Sequence, residues 1–182
     1  MAYGVRLARP DELDALPAIE IAADVRFGAT VYAGLVAGYP TTEIADFADA
    51  QDRWGLWVAI DGDDRPVGFA HCKPVGRISL YVAQLSVHPD HAGNRLAARM
   101  LDRVAAFHGP RGVQRLTLTT FRDVPWNGPY YERIGFREVP DLGAEVFLGR
   151  QIAEQVRSGF PRETRMAMAR PLVAPLSRGA SG

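Results

Sequence analysis

The residues best suited to chemistry lie in the stretch Gln84 to Leu101 of this 182-residue chain, Gln-Leu-Ser-Val-His-Pro-Asp-His-Ala-Gly-Asn-Arg-Leu-Ala-Ala-Arg-Met-Leu. An apolar, β-branched run from Ile78 to Val87 stops at Pro89, and a polar turn carries Gly93. From Leu96 the apolar residues Met100, Leu101 and Val104 then recur on one helical face. The pattern predicts a strand, a tight turn and a helix. A helix that starts out of a turn points unpaired N–H groups and the positive end of its dipole at whatever lies in front, which favours a phosphate. An ordinary β–α connection without a ligand has the same pattern, so this stretch alone leaves both readings open.

Other reactive types read more simply. His88 and His91 flank Pro89, but two histidines without cysteine or carboxylate support are poor zinc ligands and are expected to be exposed turn residues. The lone Cys72 sits in an apolar strand-like run and is expected in the core rather than as a nucleophile. The acidic turn Asp61-Gly62-Asp63-Asp64 lacks the distal Glu of a calcium loop and reads as a hairpin tip. No metal site is expected.

The elements that must position these residues follow in order. Tyr3 to Arg9 reads as a short first strand, and Asp11 is a plausible N-cap for a helix with Leu13, Leu16, Ile19 and Ala23 on its apolar face. Ala22 to Tyr39 is weakly periodic, and Pro40–Thr41 open a helical pattern through Ile44, Phe47 and Ala48. Trp54–Ile60 and Val67–Pro74 form a hairpin. The helix from Leu96 runs to about His108, where Gly109, Pro110 and Gly112 end it, and Val113–Phe121 returns as a strand parallel to its predecessor. Asn127–Ile134 is a short helix, Phe136–Val139 a strand, Gly143–Ser158 a helix and Thr164–Arg170 a closing strand. The pattern is α/β, a mixed central sheet flanked by helices.

With 47% hydrophobic and 23% charged residues, the chain fits one globular domain over residues 1–170, and the Pro-, Ser-, Gly- and Ala-rich residues 171–182 are expected to be a disordered tail. Lys plus Arg and Asp plus Glu both total 21, for a formal net charge of +0, so no general affinity for nucleic acid or an anionic membrane is expected. One cysteine makes no intrachain disulfide, and no apolar span reaches membrane length. A cytoplasmic location is expected, and a homodimer stays open.

A second stretch, Trp126-Asn-Gly-Pro-Tyr-Tyr-Glu-Arg-Ile-Gly-Phe136, follows the strand ending at Phe121. Together the two stretches resemble the GNAT superfamily of acyl-CoA-dependent N-acetyltransferases. Its members end a strand in Val-x-Pro, hold the coenzyme A pyrophosphate on a turn written Gln/Arg-x-x-Gly-x-Gly/Ala, and carry a downstream Asn followed by Tyr-x-x-x-Gly-Phe. Val87, Pro89, Asn127, Tyr131 and the Gly135–Phe136 pair match. The turn departs from the pattern, with Ala92 in place of Gln or Arg, Arg95 in place of Gly, and Ala97 fitting the last position.

The resemblance, over about Val5 to Val139, implies a GNAT-like acyltransferase fold and transfer of an acetyl group from acetyl-CoA to an amine. It implies acetyl-CoA contacts from Leu85, Ser86, Val87, Ala92, Gly93, Asn94, Arg95, Leu96, Ala97, Asn127 and Tyr130, with Tyr131 as the acid that protonates the departing thiolate. Phe27, Tyr81, Phe121 and Trp126 are expected to line the acceptor site, of which Asp24, Arg26 and Tyr32 are further candidate walls. Many relatives place a carboxylate on the strand before the coenzyme turn. Leu80–Leu85 has none, so a water chain is expected, ending on Asp24, His71 or Asp123. The acceptor is an unidentified small molecule or peptide. A non-catalytic acyl-CoA sensor or interaction module is the second reading, favoured by the loss of glycine at position 95.

Overall fold

The computed structural model describes residues 2–172. Strand β1 (Gly4–Leu7) leads through a 3₁₀ turn over Pro10–Ala15 into helix α1 (Leu16–Asp24). The turn is capped by Arg9 rather than Asp11. The Arg9 N–H donates to Glu12 Oε2 at 2.7 Å, and Pro10, with no N–H to leave unpaired, takes the first position. A second 3₁₀ turn (Val25–Ala29) and the short α2 (Ala33–Ala37) fill the weakly periodic stretch before α3 (Ile44–Asp52). Strands β2 (Leu56–Ile60) and β3 (Pro66–Val75) form the expected hairpin. Its acidic tip closes on itself, the Asp61 carboxylate accepting from the N–H groups of Asp63 at 2.9 Å and Arg65 at 3.0 Å. Then come β4 (Ser79–Val87), α4 (Leu96–His108), β5 (Arg115–Phe121), α5 (Gly128–Arg133), β6 (Arg137–Glu138), α6 (Val146–Arg157) and β7 (Arg165–Pro171). Pro171 closes β7 opposite Arg115, and the Leu172 N–H donates to Gln114 O. The rest of the expected tail, residues 173–182, lies outside the described residues.

The seven strands make one mixed sheet in the order β1-β2-β3-β4-β5-β7-β6, and all pairs are antiparallel except β4 and β5. Alternation sorts each strand's side chains between two cores. Trp57 and Ala59 of β2 join Leu96, Met100, Leu101 and Val104 of α4 on one face. Leu56 and Val58 join Leu16 and Ile19 of α1 and Phe47 of α3 on the other. Each fully buried Leu or Met contributes about 1.5–3 kcal/mol. α6 covers the second face farther along, with Leu148 and Ile152 against Tyr81 and Ala167. Cys72 is fully buried at the centre, where burial pushes its thiol up to about 12 and keeps it protonated. Among the described residues, no helix is long and apolar enough to cross a membrane.

One irregularity positions everything that follows. β4 and β5 pair only at Ser79↔Arg115, Leu80↔Leu116 and Tyr81↔Thr117. Beyond that level both continue, to Val87 and Phe121, without pairing to one another. At the point of separation the β3–β4 register slips, from Cys72↔Val82 to His71↔Gln84, leaving Ala83 as an extra residue in β4. Such a bulge bends and twists the strand that carries it. The sheet therefore opens into a cleft.

Candidate active site

The cleft is a cavity of about 920 Å³. At one end is the turn before α4. Gly93 has φ +80°, and the Asn94 side-chain amide donates to the carbonyls of His91 at 3.0 Å and Ala92 at 3.1 Å, which fixes the turn. His88 and His91 are half-buried rather than exposed, and both serve this turn. His88 Nδ1 accepts from the Asp90 N–H, and His91 Nδ1 is 3.1 Å from the Tyr3 hydroxyl. The backbone N–H groups of Gly93, Asn94, Arg95, Leu96 and Ala97 find no acceptor among the described residues. A run of free N–H groups at the start of a 13-residue helix fits an anion such as a pyrophosphate.

Arg95 behaves in a way its sequence position did not announce. An arginine where the resembled pattern has glycine is expected either to keep a helical backbone or to obstruct the turn. Instead it caps α4 at φ 56°, ψ 24°, the left-handed conformation that glycine adopts at no steric cost. The turn thus keeps its shape without glycine. Its exposed guanidinium makes no hydrogen bond or ion pair among the described residues.

The opposite wall comes from α5. Gly128 opens this helix against the end of β5, where an added Cβ would lie 2.7 Å from Arg122 O. Only glycine permits that approach, and it sets where Tyr130 and Tyr131 sit. The Tyr130 hydroxyl lies beside the Ala98 N–H of α4. The Tyr131 ring packs on Phe136, with centroids 5.5 Å apart, while its hydroxyl makes no hydrogen bond among the described residues and the residue lines the cavity. The ring is therefore structural and the hydroxyl free. Burial pushes the phenol well above its usual range, so it is protonated at neutral pH.

At the other end, Phe27 meets Phe121 at 5.5 Å and Trp126 at 5.7 Å, and Tyr32 stacks on Phe121 at 4.4 Å. Arg26 lies over the Trp126 ring. Tyr81 is buried, with its hydroxyl 2.8 Å from Thr119 Oγ1, and presents its ring to the cavity. The residues expected to hold coenzyme or acceptor line this one cavity, Leu85, Ser86, Val87, Ala92, Leu96 and Asn127 included, except Tyr32, which lies behind Phe121 with its hydroxyl on Asp123.

The three expected proton receivers separate. Asp123 is not on the cavity wall and accepts hydrogen bonds from the Tyr32 hydroxyl at 2.9 and 3.1 Å. Asp24 is on the wall, and burial raises its carboxyl. His71 is also on the wall, 1% exposed, with neither ring nitrogen hydrogen-bonded. Burial, helped by the Lys73 charge, draws its pKa down to about 4, so the imidazole is neutral at pH 7.

Two polar residues of the site were not anticipated. Glu20 is buried on α1, accepts from the Thr42 N–H and hydroxyl, and has its carboxyl raised by burial. Its signal was available, because it stands four residues after Leu16 on the apolar face of the helix. Arg165 opens β7 at the cavity wall, and its one sequence signal is a charge leading the apolar run Met166-Ala167-Met168.

Known structures share this architecture. The chain aligns with the ribosomal-protein-S18-alanine N-acetyltransferase of Escherichia coli at 16% identity and TM-score 0.64, covering 97% of this chain and 98% of that one. The PaiA N-acetyltransferase of Thermoplasma acidophilum, solved with coenzyme A, aligns at 15% identity and TM-score 0.62, covering 94% and 99%. The N-acetylglutamate synthase of Neisseria gonorrhoeae, solved with coenzyme A and N-acetylglutamate, aligns at 15% identity and TM-score 0.67, covering 95% of this chain and 36% of that one. These likenesses establish the fold. In sequence, residues 26–136 match the acetyltransferase (GNAT) family, a segment that contains the split strands, the turn before α4 and Tyr131. With more than half its length matched, the chain belongs to the GNAT acetyltransferase family.

Proposed function

We propose that the protein is an N-acetyltransferase that moves an acetyl group from acetyl-CoA to the amine of a small-molecule or peptide acceptor. The observation that carries this reading is the free Tyr131 hydroxyl, which shares one cavity with the unpaired N–H groups of the turn before α4. Those N–H groups and the Arg95 guanidinium suit the coenzyme's phosphates, and Leu85 to Val87, Asn127 and Tyr130 suit the rest of it.

In the transfer, the amine nitrogen bonds to the thioester carbonyl carbon, the C–S bond breaks, and the sulfur leaves as a thiolate. Tyr131 gives that sulfur its proton, and its protonated state suits the task. An alkylamine with a pKa of roughly 10.4 needs about 4.6 kcal/mol to be unprotonated at pH 7 unless the site assists. We assign the amine's proton to a water on the cavity wall and not to His71, whose two ring nitrogens are unpaired but sealed from solvent. Asp24 stands on the same wall to receive it.

Arg95 was the feature that favoured a non-catalytic binding module. Its left-handed backbone removes that support, because the turn keeps the geometry glycine would give. A cytoplasmic site of action goes with the reading, in line with a single buried, unpaired cysteine. The test is release of free thiol from acetyl-CoA in the presence of a panel of amines, run on the wild type and Tyr131→Phe. Amine-dependent release that Tyr131→Phe lowers by about 10²-fold is expected. Binding of acetyl-CoA without release for any amine would return the protein to the binding-module reading.

A further inference from the structure

Where an arginine of the described residues is partly buried against the sheet, it meets an acid. Arg115 meets Glu145 through both terminal nitrogens, Arg122 meets Glu138 likewise, and the Arg170 side chain, 13% exposed, meets Asp102. The most buried arginine breaks this pattern. Arg165 is 7% exposed and forms no ion pair among the described residues. Its Nε donates to Gln155 Oε1 at 3.0 Å, and its guanidinium carbon lies 4.4 Å from the centroid of the Phe121 ring and 5.3 Å from that of Phe160. Neither terminal nitrogen finds a protein acceptor, yet neither is sealed from the cavity that Arg165 lines.

A guanidinium has five N–H donors in a planar fork. Here one is used. Removing such a group from water without a counter-ion is expensive, and stacking on two aromatic rings offsets only part of the cost. The groups whose charge Arg165 feels are all tyrosines, Tyr81, Tyr39, Tyr32 and Tyr131. The acids of the cavity, Glu20 and Asp24 on α1 and Glu43 and Asp46 at the start of α3, do not pair with it, and Asp46 is taken by Lys73. The fork is thus an anion site whose anion the described residues do not supply.

Its place narrows the ligand. Arg165 faces Phe121 across the β5–β7 ladder, beside the aromatic cluster of Phe27 and Trp126, and lines the same cavity as Tyr81 and Tyr131. An anion held there sits near the reacting centre, not at the coenzyme turn at the far end of the cavity. We infer that Arg165 binds the carboxylate of the acceptor, so that the amine acetylated belongs to a free amino acid or similar aminocarboxylate with an apolar or aromatic body. This rests on the acetyltransferase reading and narrows it, since a peptide carries a neutral amide where a free amino acid carries its α-carboxylate.

The test compares three acceptors that share one aromatic body, an α-amino acid, the amine left after its decarboxylation, and the matching aminophosphonic acid, on wild type, Arg165→Gln and Arg165→Lys. The wild type is expected to favour the amino acid over the amine by about 10²-fold in kcat/KM. Arg165→Gln should erase that preference through KM while leaving the amine within about threefold, and Arg165→Lys should restore part of it. An equal fall in kcat on both acceptors would overturn the inference, because Arg165 would then act on Tyr131 or on the fold. A wild-type preference for the amine, or for the phosphonate, would overturn it too. Thermal unfolding with coenzyme A and each compound reads binding apart from turnover and checks that the variants fold. Stabilisation by the amino acid in the wild type but not in Arg165→Gln supports the carboxylate site even if no amine is acetylated. Absence of both would overturn this inference alone, because the acetyltransferase reading is tested by thiol release across the amine panel.

Discussion

Arg95 offers two separable measurements at one residue. Its left-handed backbone costs a non-glycine residue roughly 1–2 kcal/mol. Glycine would remove that cost but adds about 0.5–1 kcal/mol of chain entropy to be lost on folding. Arg95→Gly is therefore expected to stabilise the protein by about 0.5–1 kcal/mol, a Tm gain of roughly 1–4 °C for a chain of this size. Arg95→Ala keeps the strained conformation and should leave the Tm within about 1 °C. Coenzyme affinity moves the other way. Both variants lose a charge-assisted donor worth about 1.5–3 kcal/mol, so acetyl-CoA should bind about 10- to 150-fold more weakly to each. Calorimetry with acetyl-CoA and dephospho-CoA, alongside thermal unfolding, reads both effects. A lower Tm for Arg95→Gly would refute the strain argument, and unchanged affinity in Arg95→Ala would refute the phosphate contact.

Acetyl-CoA at a hundredfold excess over its Kd should add about 2.7 kcal/mol of stability, roughly 5–11 °C in Tm, while NAD and ATP add none; equal shifts from all three would remove the coenzyme assignment. Tyr131→Phe should retain acetyl-CoA affinity, because the ring still packs on Phe136, and lose about 10²-fold in kcat. An unchanged kcat would leave Tyr131 a packing residue. His71 has an unfolded pKa near 6.5 and a folded one of about 4, set by burial and the Lys73 charge against the weaker pull of Asp46 and Asp49. Between those values the unfolded chain binds the extra proton, so stability should be constant above about pH 6.5 and fall by up to about 3 kcal/mol as the pH drops to 4. His71→Gln should flatten that part of the pH–stability curve, and an unaltered slope would show that other groups set it. Gly128→Ala, whose Cβ would meet Arg122 O at 2.7 Å, should displace α5 and lower kcat more than coenzyme affinity, and full activity would show that the helix start can yield.

Where local pattern and tertiary packing agreed, the sequence was sufficient. The bounds of α4, the hairpin and the parallel return of β5 follow from periodicity and breakers that nothing in the fold contradicts. Asp11 as a cap failed because Glu12 is drawn back onto Arg9 by the Arg6 guanidinium, which holds the carboxylate through both terminal nitrogens. That partner lies on β1, outside any local window. The turn before α4 was legible as a turn but not in its conformation, since no sequence rule assigns a left-handed backbone to arginine. Glu20 was visible as a charge on an apolar helix face and was passed over. Arg165 was not visible in the same sense, because its meaning comes from having no acid partner among the described residues, which only three dimensions reveal.

The separation of β4 from β5 leaves the molecule with two strand edges that face each other across the cavity, each already paired on its outer side. On a protein surface such edges recruit strands from other chains and seed aggregation. Here the aromatic residues Phe27 and Trp126, together with Gln151 and Gln155 of α6, stand around them, so the edges are open to a slender extended ligand and closed to a second sheet. A ligand with amides along its length, as the coenzyme's arm has, can complete the missing ladder. Ligand binding and colloidal behaviour are thereby linked. Filling the cleft should suppress heat-induced aggregation, and removing α6 should promote it even where the sheet itself survives.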